Sequence, residues 1–368
     1  MQVEFTAADH DFMARALRLA ERGLQTTTPN PRVGCVLVRA GQVVGEGWHV
    51  RAGEPHAEAL ALAAAGGAAR AATAYVTLEP CAHHGRTPPC AEALLAAGVE
   101  RVVAAMQDPN PLVAGRGLAR LQAAGVRTEC GLLANQATEL NVGFVARMQR
   151  SRPWVRLKLA ASLDGKTALR NGSSQWLTGA EARRDGHRWR ARACAILTGI
   201  GTVRADDPQL TVRALAPATE ALRQPLKVVV DSRLQFPLSA RLLRQGRLLL
   251  AVAAADQQRV AAVEQAGVEV VVLPGLDGRV DLPRLLGELA RREINELHVE
   301  AGSRLSGALL HAGLVDELLL YLAPCLVGDA AYGMFDLPPL VSLLDKRKLI
   351  VRDLRQIGDD LRLIARLA

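Results

Sequence analysis

The 368-residue sequence has few aromatic residues, which make up only 3% of the chain. Proteins that bind single-stranded nucleic acid without sequence preference stack bases on aromatic side chains, so the composition disfavours such a surface. Long apolar runs are also missing, because a stretch such as Leu318 to Val327 is far shorter than the ~20 residues of a membrane-spanning helix. The segment from Met1 to Phe12 lacks the apolar core of a secretory signal. We therefore expect a cytoplasmic protein without a membrane partner.

Cysteines are also scarce, and the six present are too scattered in a chain of this length to form a disulfide framework. A reducing compartment would leave their thiols free to bind a metal. Two of them, Cys81 and Cys90, belong to the motif described below. We expect the other four to be packing residues, namely Cys35, Cys130, Cys194 and Cys325.

The positive charge of the chain is concentrated in one window. Residues 1–150 carry 14 Arg and no Lys against 13 acidic residues, whereas residues 151–213 carry 12 basic and 5 acidic residues. A compact cationic region beside a neutral remainder suits a small phosphorylated ligand, because a basic cleft concentrates anions. For any single arginine, a solvated helix face is the simpler explanation.

The length of the chain suggests two domains, and 49% hydrophobic residues can supply two sizeable cores. Helical and strand patterns alternate in both halves, which predicts two three-layer α/β domains with largely parallel sheets. The segment from Arg147 to Pro153 interrupts this pattern, so we place the domains at residues 1–150 and 151–368. The second sheet is expected to end in an antiparallel edge.

A metal-binding pattern lies in the first half. His56 and Glu58 begin a predicted helix, and Pro80-Cys81 and Pro89-Cys90 follow. One His and two Cys supply three ligands for tetrahedral zinc, which leaves a fourth position for a water that becomes acidic, with a pKa near ~7. Glu58 could carry the proton from this water to a departing amine. The order of these residues is typical of zinc deaminases, although a structural zinc or no metal remains an alternative.

The spacing of the two cysteines departs from the usual Cys-x-x-Cys, because the eight residues from Ala82 to Pro89 separate them. The block from Pro80 to Cys90, together with Thr28-Pro29-Asn30-Pro31-Arg32-Val33-Gly34, resembles the bifunctional deaminase-reductases of riboflavin biosynthesis. In that family the N-terminal, cytidine-deaminase-like domain removes an amino group from a phosphoribosylated diaminopyrimidinone as ammonia.

The resemblance implies specific roles in the first half. His56, Cys81 and Cys90 would bind zinc, and Glu58 would be the catalytic proton carrier. The residues implied to contact the base or the ribose phosphate, or to line the pocket, are Asn30, His49, the loop around Arg86, and Asp108. The adjacent pair His83 and His84 cannot readily face one ion together, so substrate contact or solvent exposure is expected for them.

Two glycine-containing segments of the second half could bind phosphate. The segment from Gly199 to Arg204 lacks the third glycine of a dinucleotide fingerprint, and no helix is predicted to begin there, which disfavours a Rossmann site. The segment from Gly302 to Ala308 follows a predicted strand and begins a predicted helix, whose N–H groups could hold a pyrophosphate. An ordinary turn is the simpler alternative for these glycines.

Four segments of the second half are similar to the reductase domain of the same family: 158–166, 174–176, 206–213 and 300–302. That domain is similar in fold to dihydrofolate reductase and uses NADPH. The resemblance implies hydride transfer from the nicotinamide to the anomeric carbon of the ring-opened ribosylamine, which produces a ribityl chain.

The positions in these segments imply individual roles. The expected NADPH contacts are Ala160, Trp176, Thr202, Asp206, Ser232 and the segment Gly302, Ser303, Arg304, Leu305, Ser306, Gly307 and Ala308. The expected substrate contacts are Ser174, Arg190, Leu210, Arg213 and Glu300. Guanidinium groups suit a ribose phosphate because they donate paired hydrogen bonds. Lys158, Asp206 and Glu300 are candidates for proton transfer. Trp176 could instead only pack, and Asp206 and Glu300 could instead only cap a helix or pair with Arg.

These observations predict a homo-oligomeric, dimeric or tetrameric, two-step enzyme with a small phosphoribosyl pyrimidine as substrate and with zinc and NADPH as cofactors. The alternative is a zinc deaminase that acts on nucleic acid and carries a non-catalytic second domain. Nucleic-acid binding needs a basic surface, and residues 1–150 are nearly neutral. The charge distribution therefore favours the small-molecule enzyme without a nucleic-acid partner.

Overall fold

A computed structural model describes residues 4–82, 89–111, 113–213 and 223–368. The chain divides into two compact units, Met1–Ser151 and Arg152–Ala368. Each unit contains its own main β-sheet. Within the described ranges, every helix is too short or too polar to cross a bilayer.

The first unit alternates helices and strands around a five-stranded sheet. Its elements, in addition to a 3₁₀ turn at Gly66–Ala69, are α1 (Ala7–Glu21), β1 (Gly34–Arg39), β2 (Gln42–Trp48), α2 (Ala57–Ala65), β3 (Thr73–Val76), α3 (Cys90–Ala96), β4 (Arg101–Ala104), α4 (Arg116–Ala123), β5 (Arg127–Cys130), α5 (Ala134–Leu140) and α6 (Val142–Arg150).

The sheet of the first unit has the strand order β2-β1-β3-β4-β5. The pairs β1–β2 and β1–β3 are antiparallel, and β3–β4 and β4–β5 are parallel, so four of the five strands run in one direction and β1 alone runs against them. The sheet thus agrees with the predicted, largely parallel arrangement except at β1. The exception arises because a short turn joins β1 to β2 in a hairpin, and strands joined by a short turn must run antiparallel.

Side chains of β1 alternate between the two faces of this sheet. Cys35 and Leu37 join the core beneath α2, α3 and α4, whereas Val36 and Val38 join the core beneath α1 and α5. The helix α2 approaches β2 closely, since a Cβ on Gly47 would lie 2.4 Å from the Ala57 carbonyl oxygen. This packing fixes the start of α2, where the predicted metal ligand His56 lies.

The second unit is built on a larger sheet. Its elements are β6 (Trp154–Ser162), β7 (Lys166–Ala168), α7 (Ala180–Arg192), β8 (Ala195–Gly199), α8 (Ile200–Asp206), β9 (Leu226–Val230), a 3₁₀ turn at Arg241–Arg244, β10 (Leu248–Val252), α9 (Gln257–Gln265), β11 (Glu269–Val272), α10 (Leu282–Arg291), β12 (Glu296–Val299), α11 (Ser303–His311), β13 (Glu317–Ala323), β14 (Tyr332–Gly333), a 3₁₀ turn at Leu343–Asp345, β15 (Leu349–Ile357) and β16 (Asp360–Leu367).

The main sheet of the second unit has the order β11-β10-β9-β8-β12-β6-β13-β16-β15. The first seven strands are parallel, and β16 and β15 add the antiparallel edge that the sequence predicts. Apolar residues of α10 and α11 belong to one core cluster, and those of α8 and α9 belong to another. Helices therefore cover both faces of the parallel part, as expected for such sheets.

Some local predictions are wrong. The helix α8 begins at Ile200 directly after β8, where no helix is predicted. It is only seven residues long and contains Gly201, so its sequence carries a weak helical signal, and burial of Val203 in the core stabilises it. Cys130 and Cys325 are exposed rather than packed, whereas Cys35 and Cys194 are buried as predicted.

Candidate active sites

Three side chains in the first unit converge on one point. His56 precedes α2 in an extended conformation, Cys90 is the first residue of α3, and Cys81 lies in the segment between β3 and α3. His56 Nδ1 is 3.2 Å from Cys90 Sγ and 3.7 Å from Cys81 Sγ. The three possible ligand atoms all lie within 4.8 Å of one another.

This geometry fits a zinc ion. Zinc–sulfur bonds of about 2.3 Å and zinc–nitrogen bonds of about 2.0 Å place tetrahedral ligand atoms roughly 3.5 Å apart. The observed separations of His56 Nδ1 from the two sulfur atoms bracket that value. In the described part of the chain, no other His, Cys, Asp or Glu group is brought together in this way.

The thiol groups share hydrogen bonds that a cation would replace. The side-chain hydrogen bond with Cys90 lowers the pKa of Cys81 to about 4, and the backbone N–H of Cys90 also donates to Cys81 Sγ at 3.3 Å. The same side-chain hydrogen bond, together with burial, raises the pKa of Cys90. The hydrogen bond with Cys81 raises the pKa of His56. In this state the Cys90 thiol keeps its proton and shares it with the Cys81 sulfur atom. A divalent cation bound between the sulfur atoms would stabilise both as thiolates.

Glu58 lies beside this cluster in the first turn of α2 and is buried. Burial raises the pKa of its carboxyl group to about 7, while the positive charge of His56 opposes the shift. A carboxyl group that titrates near neutral pH can both accept and donate a proton under working conditions. The environment of Glu58 therefore suits proton transfer better than that of an exposed carboxylate.

His49 and Asn30 form a second polar pair near the cluster. The His49 ring lies edge-on to the His56 ring, with a centroid separation of 5.4 Å. His49 Nδ1 is 3.1 Å from the Pro55 carbonyl oxygen, and its Nε2 is 3.0 Å from Asn30 Nδ2. Burial lowers the pKa of His49, so the ring is held neutral with one nitrogen donating and the other accepting.

Glu79 is a buried residue that the sequence did not single out. Its two carboxylate oxygens accept four backbone N–H groups, from Asp108, Gly115, Gly117 and Leu118, at 2.9 to 3.2 Å. These hydrogen bonds connect the segment that contains Asp108, Gly115, Gly117 and Leu118 to the segment between β3 and Cys81. An acid within the apolar run before Pro80-Cys81 is the signal that could have revealed it, because buried carboxylates require hydrogen-bond partners.

The structure describes only some of the other residues that are implied to line this site. Asp108 Oδ1 accepts the backbone N–H of Asn110 at 2.8 Å, which shapes the Asp108-Pro109-Asn110-Pro111 turn. His83, His84 and the Arg86 loop lie outside the described residues.

In the second unit, charged side chains surround Glu300, which directly follows β12. Arg190 of α7 binds it through two hydrogen bonds, Nε to Oε1 at 2.5 Å and Nη2 to Oε2 at 2.9 Å. Lys158 of β6 places its Nζ 4.0 Å from Glu300 Oε2, and His298 Nε2 is 3.4 Å from Oε1. Parallel neighbours β6 and β12 bring these groups to the same end of the sheet.

The ionisation of this cluster follows from its burial. Burial opposes the charge of Glu300, but Arg190 and Lys158 outweigh it and hold the pKa of Glu300 well below its usual range. Burial lowers the pKa of Lys158, and Glu300 opposes that shift. Burial also lowers the pKa of His298, which stays neutral. The cluster thus combines an ionised carboxylate with an ammonium group whose proton is easier to release than that of an ordinary lysine.

Arg213 and Leu210 lie in the segment that follows α8. Arg213 is exposed, and its Nη1 donates to Gln209 Oε1 at 2.7 Å. Its backbone N–H donates to His187 Nδ1 at 3.3 Å, and burial lowers the pKa of His187 to about 4. Neutral His187 therefore fixes the Arg213 backbone, a contact that the sequence did not suggest. Leu210 is buried with φ +48°, a conformation that bulky residues rarely adopt.

The start of α11 offers backbone donors for a cofactor phosphate. Gly302 is its N-cap without a side-chain hydrogen bond, and a Cβ at this position would meet only Thr202 Oγ1, at 3.9 Å. The first N–H groups of the helix have no intrahelical acceptor and no side-chain cap, so they could donate to a phosphate. Ser306 and Gly307 are buried instead, because Ser306 Oγ donates to the Ala301 carbonyl and Gly307 packs against the Asp336 backbone.

The remaining residues implied for the cofactor and substrate are dispersed. Trp176 is 70% exposed beneath the Arg183 guanidinium, so packing does not explain it. Asp206 ends α8 and is exposed, and Ser232 Oγ accepts the Val280 N–H at 3.3 Å. Partly buried positions are occupied by Ala160 on β6 and by Ser174 before α7.

The two sites define a class: a zinc-binding deaminase domain followed by a reductase domain. Residues 6–106 match the family model of the cytidine and deoxycytidylate deaminase zinc-binding region. Residues 153–363 match the RibD C-terminal domain. The fold of each half agrees with its family, and the second half is the NADPH-dependent reductase domain.

Relatives match over nearly the whole chain. Riboflavin biosynthesis protein RibD of Escherichia coli K12 is 51% identical and that of Haemophilus influenzae is 48% identical; the alignments cover 96% and 98% of this chain and 97% and 98% of those proteins. The solved structure of Acinetobacter baumannii RibD has a TM-score of 0.91 at 44% identity, over 98% of this chain and 99% of that chain. The chain belongs to the RibD family, the bifunctional deaminase-reductases of riboflavin biosynthesis.

Proposed function

We propose that this enzyme first deaminates 2,5-diamino-6-(5-phosphoribosylamino)pyrimidin-4(3H)-one to 5-amino-6-(5-phosphoribosylamino)uracil, and then reduces the ribosyl group to a ribityl chain with NADPH. A Thermotoga maritima structure, with a TM-score of 0.85 at 30% identity over 98% of this chain and 99% of that chain, bears the name of both activities. The observation that carries the proposal is the three-ligand cluster with buried Glu58 beside it.

The first step is assigned to residues 1–150. His56, Cys81 and Cys90 would hold zinc, and when bound, zinc supplies the Lewis acidity that makes water nucleophilic near neutral pH. Glu58 would take the proton of that water and return it to the departing amine as ammonia leaves. The neutral His49 and its Asn30 partner are proposed to recognise the pyrimidine, and Asp108 to line the pocket.

The second step is assigned to residues 151–368, and NADPH supplies the hydride. Its pyrophosphate is proposed to lie at the start of α11, along Gly302 to Ala308. The other proposed cofactor contacts are Ala160, Trp176, Thr202, Asp206 and Ser232. The proposed substrate contacts are Ser174, Arg190, Leu210, Arg213 and Glu300.

Proton transfer in the second step is proposed for the Glu300 cluster. Opening of the ribosylamine ring requires a proton at the ring oxygen, and Lys158, with its lowered pKa, can donate it. Glu300 orients Lys158 and could accept a hydrogen bond from a ribose hydroxyl. Asp206, at the end of α8, is the other candidate proton carrier.

The ribose phosphate is proposed to contact the two arginines differently. Three donors of Arg190 are engaged, since Nε and Nη2 bind Glu300 and Nη1 binds the Thr211 carbonyl at 3.1 Å. Arg213 is exposed, and among the described residues its side chain hydrogen-bonds only with Gln209. Arg213 is therefore the better-placed phosphate ligand, and Arg190 mainly positions Glu300.

We also propose that the protein is a cytoplasmic homo-oligomer, a dimer or tetramer. No disulfide links its six cysteines. One of the two edge strands of the main sheet, β15, exposes Leu349, Ile350, Val351 and Leu354 beside the charged residues Arg352, Asp353 and Arg355. An exposed apolar patch on an edge strand is a surface that a second copy can cover. Light scattering on the purified chain should therefore give at least twice the 39.3 kDa chain mass.

The test of the whole proposal is a coupled assay. Metal content is measured on the purified chain, and ammonia release and NADPH oxidation are followed with the diaminopyrimidinone substrate. We expect about one zinc per chain, and NADPH oxidation that begins only after ammonia has been released. NADPH oxidation without ammonia release, or ammonia release from metal-free protein, would contradict the assigned order of steps.

A further inference from the structure

Lys158, the proposed proton donor of the second step, has few contacts that fix its ammonium group. Its Nζ lies 4.0 Å from Glu300 Oε2, which is longer than a hydrogen bond. Among the described residues, the other group that attracts it is the ring of Tyr321, whose centroid lies 5.8 Å from Nζ. A lysine side chain is long and flexible, so a loose contact to one carboxylate does not define where its ammonium group points.

The strand order places Tyr321 beside Lys158. Strand β13 runs parallel to β6, with Leu319 opposite Lys158 and Tyr321 opposite Ala160. Residues two apart on a strand point to the same face of the sheet, so Tyr321 and Lys158 are diagonal neighbours on one face. On the other side of β6 lies β12, and Glu300 directly follows that strand. The ammonium group therefore lies between a carboxylate on one side and an aromatic ring on the other.

Hydrogen bonds fix the far end of the Tyr321 ring. The side chain is fully buried, and its hydroxyl donates to Asp185 Oδ2 of α7 at 2.7 Å. The same oxygen accepts a hydrogen bond from Arg362 Nη1 at 2.8 Å, and Arg362 Nη2 donates to Asp353 Oδ2 at 2.9 Å. Residues of α7, β15 and β16 thus hold the hydroxyl end of the ring, while its face points toward Lys158.

An aromatic ring is suited to hold an ammonium group that must release its proton. The face of the ring carries a partial negative charge and attracts a cation within ~6 Å of the ring centroid, although the ring has no net charge. A second carboxylate would also attract the ammonium group, but it would favour the protonated form strongly and make the proton harder to release. The ring of Tyr321 can therefore orient Lys158 at a smaller loss of acidity.

We infer that Tyr321 is a positioning residue of the reductase, whose ring face directs the ammonium group of Lys158 toward the ring oxygen of the ribosylamine. The inference rests on the proposed role of Lys158 in the second step. In that step the lone pair of the amine nitrogen forms a C=N bond as the bond from the anomeric carbon to the ring oxygen breaks. The oxygen keeps the electron pair of the broken bond and takes the proton of Lys158. The same carbon then accepts the hydride from NADPH, and solvent returns a proton to Lys158.

The first test separates the ring of Tyr321 from its hydroxyl. NADPH oxidation with the deaminated substrate is measured on Tyr321→Leu, which lacks the ring, and on Tyr321→Phe, which lacks only the hydrogen bond to Asp185. We expect kcat to fall about 10- to 100-fold in the Leu variant, because a misplaced reacting group costs up to ~10² in rate, and at most about three-fold in the Phe variant. KM for NADPH should stay within about two-fold in both.

The first unit offers a matched control. Tyr75 is also buried, its hydroxyl donates to Asp9 Oδ1 at 2.7 Å, and Arg101 Nη1 binds the same oxygen at 2.6 Å. Tyr75→Phe therefore removes the same kind of hydrogen bond away from Lys158 and should leave NADPH oxidation at the wild-type rate. A wild-type kcat for Tyr321→Leu, or an equal loss in Tyr321→Leu and Tyr321→Phe, would overturn the inference.

The pH dependence of kcat distinguishes positioning from general damage. Lys158 can donate only when protonated, so kcat falls as the pH rises through the pKa of Lys158. Because the ring favours the charged form, its loss in Tyr321→Leu should move this fall to lower pH by about half a unit or more, whereas Tyr321→Phe should match the wild type. General damage would lower kcat equally at every pH. The other charged or titratable groups of this region are unaltered in both variants: Glu300 and His298 at the end of β12, Arg190, His187 and Asp185 on α7, Arg156 on β6 and Arg362 on β16.

A second pair of variants keeps the shape of the ring and serves even where Tyr321→Leu does not fold, which its thermal midpoint and NADPH fluorescence would reveal. Phenylalanine and 3,4,5-trifluorophenylalanine are each incorporated at position 321. Fluorine withdraws electrons from the ring face and weakens its attraction for a cation. The trifluoro ring should therefore give a lower kcat and an earlier fall with pH than the plain ring. Equal kcat and equal pH dependence of the two would overturn the inference.

Lys158→Gln separates this inference from the proposed function. A wild-type kcat in that variant would reject the proton role of Lys158, and the inference about Tyr321 with it. If Lys158→Gln loses kcat while the Leu and trifluoro variants at position 321 match Tyr321→Phe in kcat and pH dependence, Lys158 remains the proton donor and the inference about Tyr321 alone is rejected.

Discussion

In the first unit, the ligand atoms of His56, Cys81 and Cys90 are within 4.8 Å of one another, and Glu58 is buried beside them. In the second unit, Glu300 and Arg190 are bound together, but Arg213, Asp206 and Trp176 are exposed. The first site is thus assembled from the chain alone. The second consists of a hydrogen-bonded charged cluster and a set of exposed residues that a cofactor and a substrate would contact.

This difference follows from what each reaction requires. Water activation needs ligand atoms fixed to a few tenths of an ångström, and short helices α2 and α3 packed on one face of a sheet provide that precision. A hydride donor is itself a large molecule, so the protein contributes mainly a surface for binding and orientation. Loss of one residue should therefore be more damaging in the first site than at the periphery of the second.

The largest effect is expected for Glu58→Gln. The amide cannot accept the proton of water, so kcat for ammonia release should fall about 10²- to 10⁴-fold. Zinc content should stay unchanged because the three ligands remain. NADPH oxidation with the deaminated substrate should also be unchanged, which makes the second step an internal control. Deamination at a near wild-type rate would refute the role of Glu58.

The next largest effect is expected for Glu300→Gln. The substitution leaves Arg190 and Lys158 without their buried counter-charge, so kcat for NADPH oxidation should fall about 10²-fold or more. Ammonia release should not change. NADPH binding, followed by its fluorescence, serves as the check that the second unit remains folded. Retained kcat with retained binding would show that Glu300 only pairs with Arg190.

A smaller effect is expected for Arg213→Ala. Removal of one phosphate ligand should raise KM for the reductase substrate about 10- to 100-fold with little change in kcat. Arg188→Ala, an exposed arginine of α7 with a long contact to Asp185, is the matched control and should leave KM within about two-fold. An unchanged KM for Arg213→Ala would show that Arg213 does not bind the substrate.

The smallest effect on turnover is expected for Glu79→Gln. The amide of Gln has one oxygen where the carboxylate of Glu79 has two. Some of the four backbone N–H groups that bind Glu79 therefore lose their acceptor, and each lost acceptor lowers the free energy of unfolding by about 1–3 kcal/mol. We expect a lower thermal midpoint for the first unit and a several-fold higher KM for deamination, with zinc retained. Glu92→Gln, at a partly exposed position of α3 with a 3.9 Å contact to Arg120, should change stability by less than about 0.5 kcal/mol. Equal stability of the two variants would show that Glu79 does not position the turn.

The sequence predicted the features that depend on local pattern. The helix predicted at His56 and Glu58 is α2, which begins at Ala57, and the helix predicted at Gly302 to Ala308 is α11, which begins at Ser303. The order His-x-Glu, Pro-Cys, Cys singled out three side chains whose possible ligand atoms the structure brings within 4.8 Å of one another, and their binding of zinc stays a prediction. Local sequence carries such signals directly.

Features that depend on contacts distant in the chain could not be predicted. The four N–H groups on Glu79 come from residues that follow it by 29 to 39 positions. The bond from Arg190 to Glu300 spans 110 positions, and the contact of His187 with Arg213 spans 26. The helix α8 carries a weak helical signal of its own, and burial of Val203 in the core stabilises it. No residue pattern within a short window encodes these contacts.

The most direct test of two independent chemistries in one chain is to remove and restore the metal. Ammonia release and NADPH oxidation of supplied deaminated substrate are measured on one preparation before chelation, after chelation, and after zinc is added back. Ammonia release should disappear with the zinc and return with it, while NADPH oxidation stays constant throughout. Ammonia release that persists in zinc-depleted protein, or a parallel loss of both activities, would contradict the account.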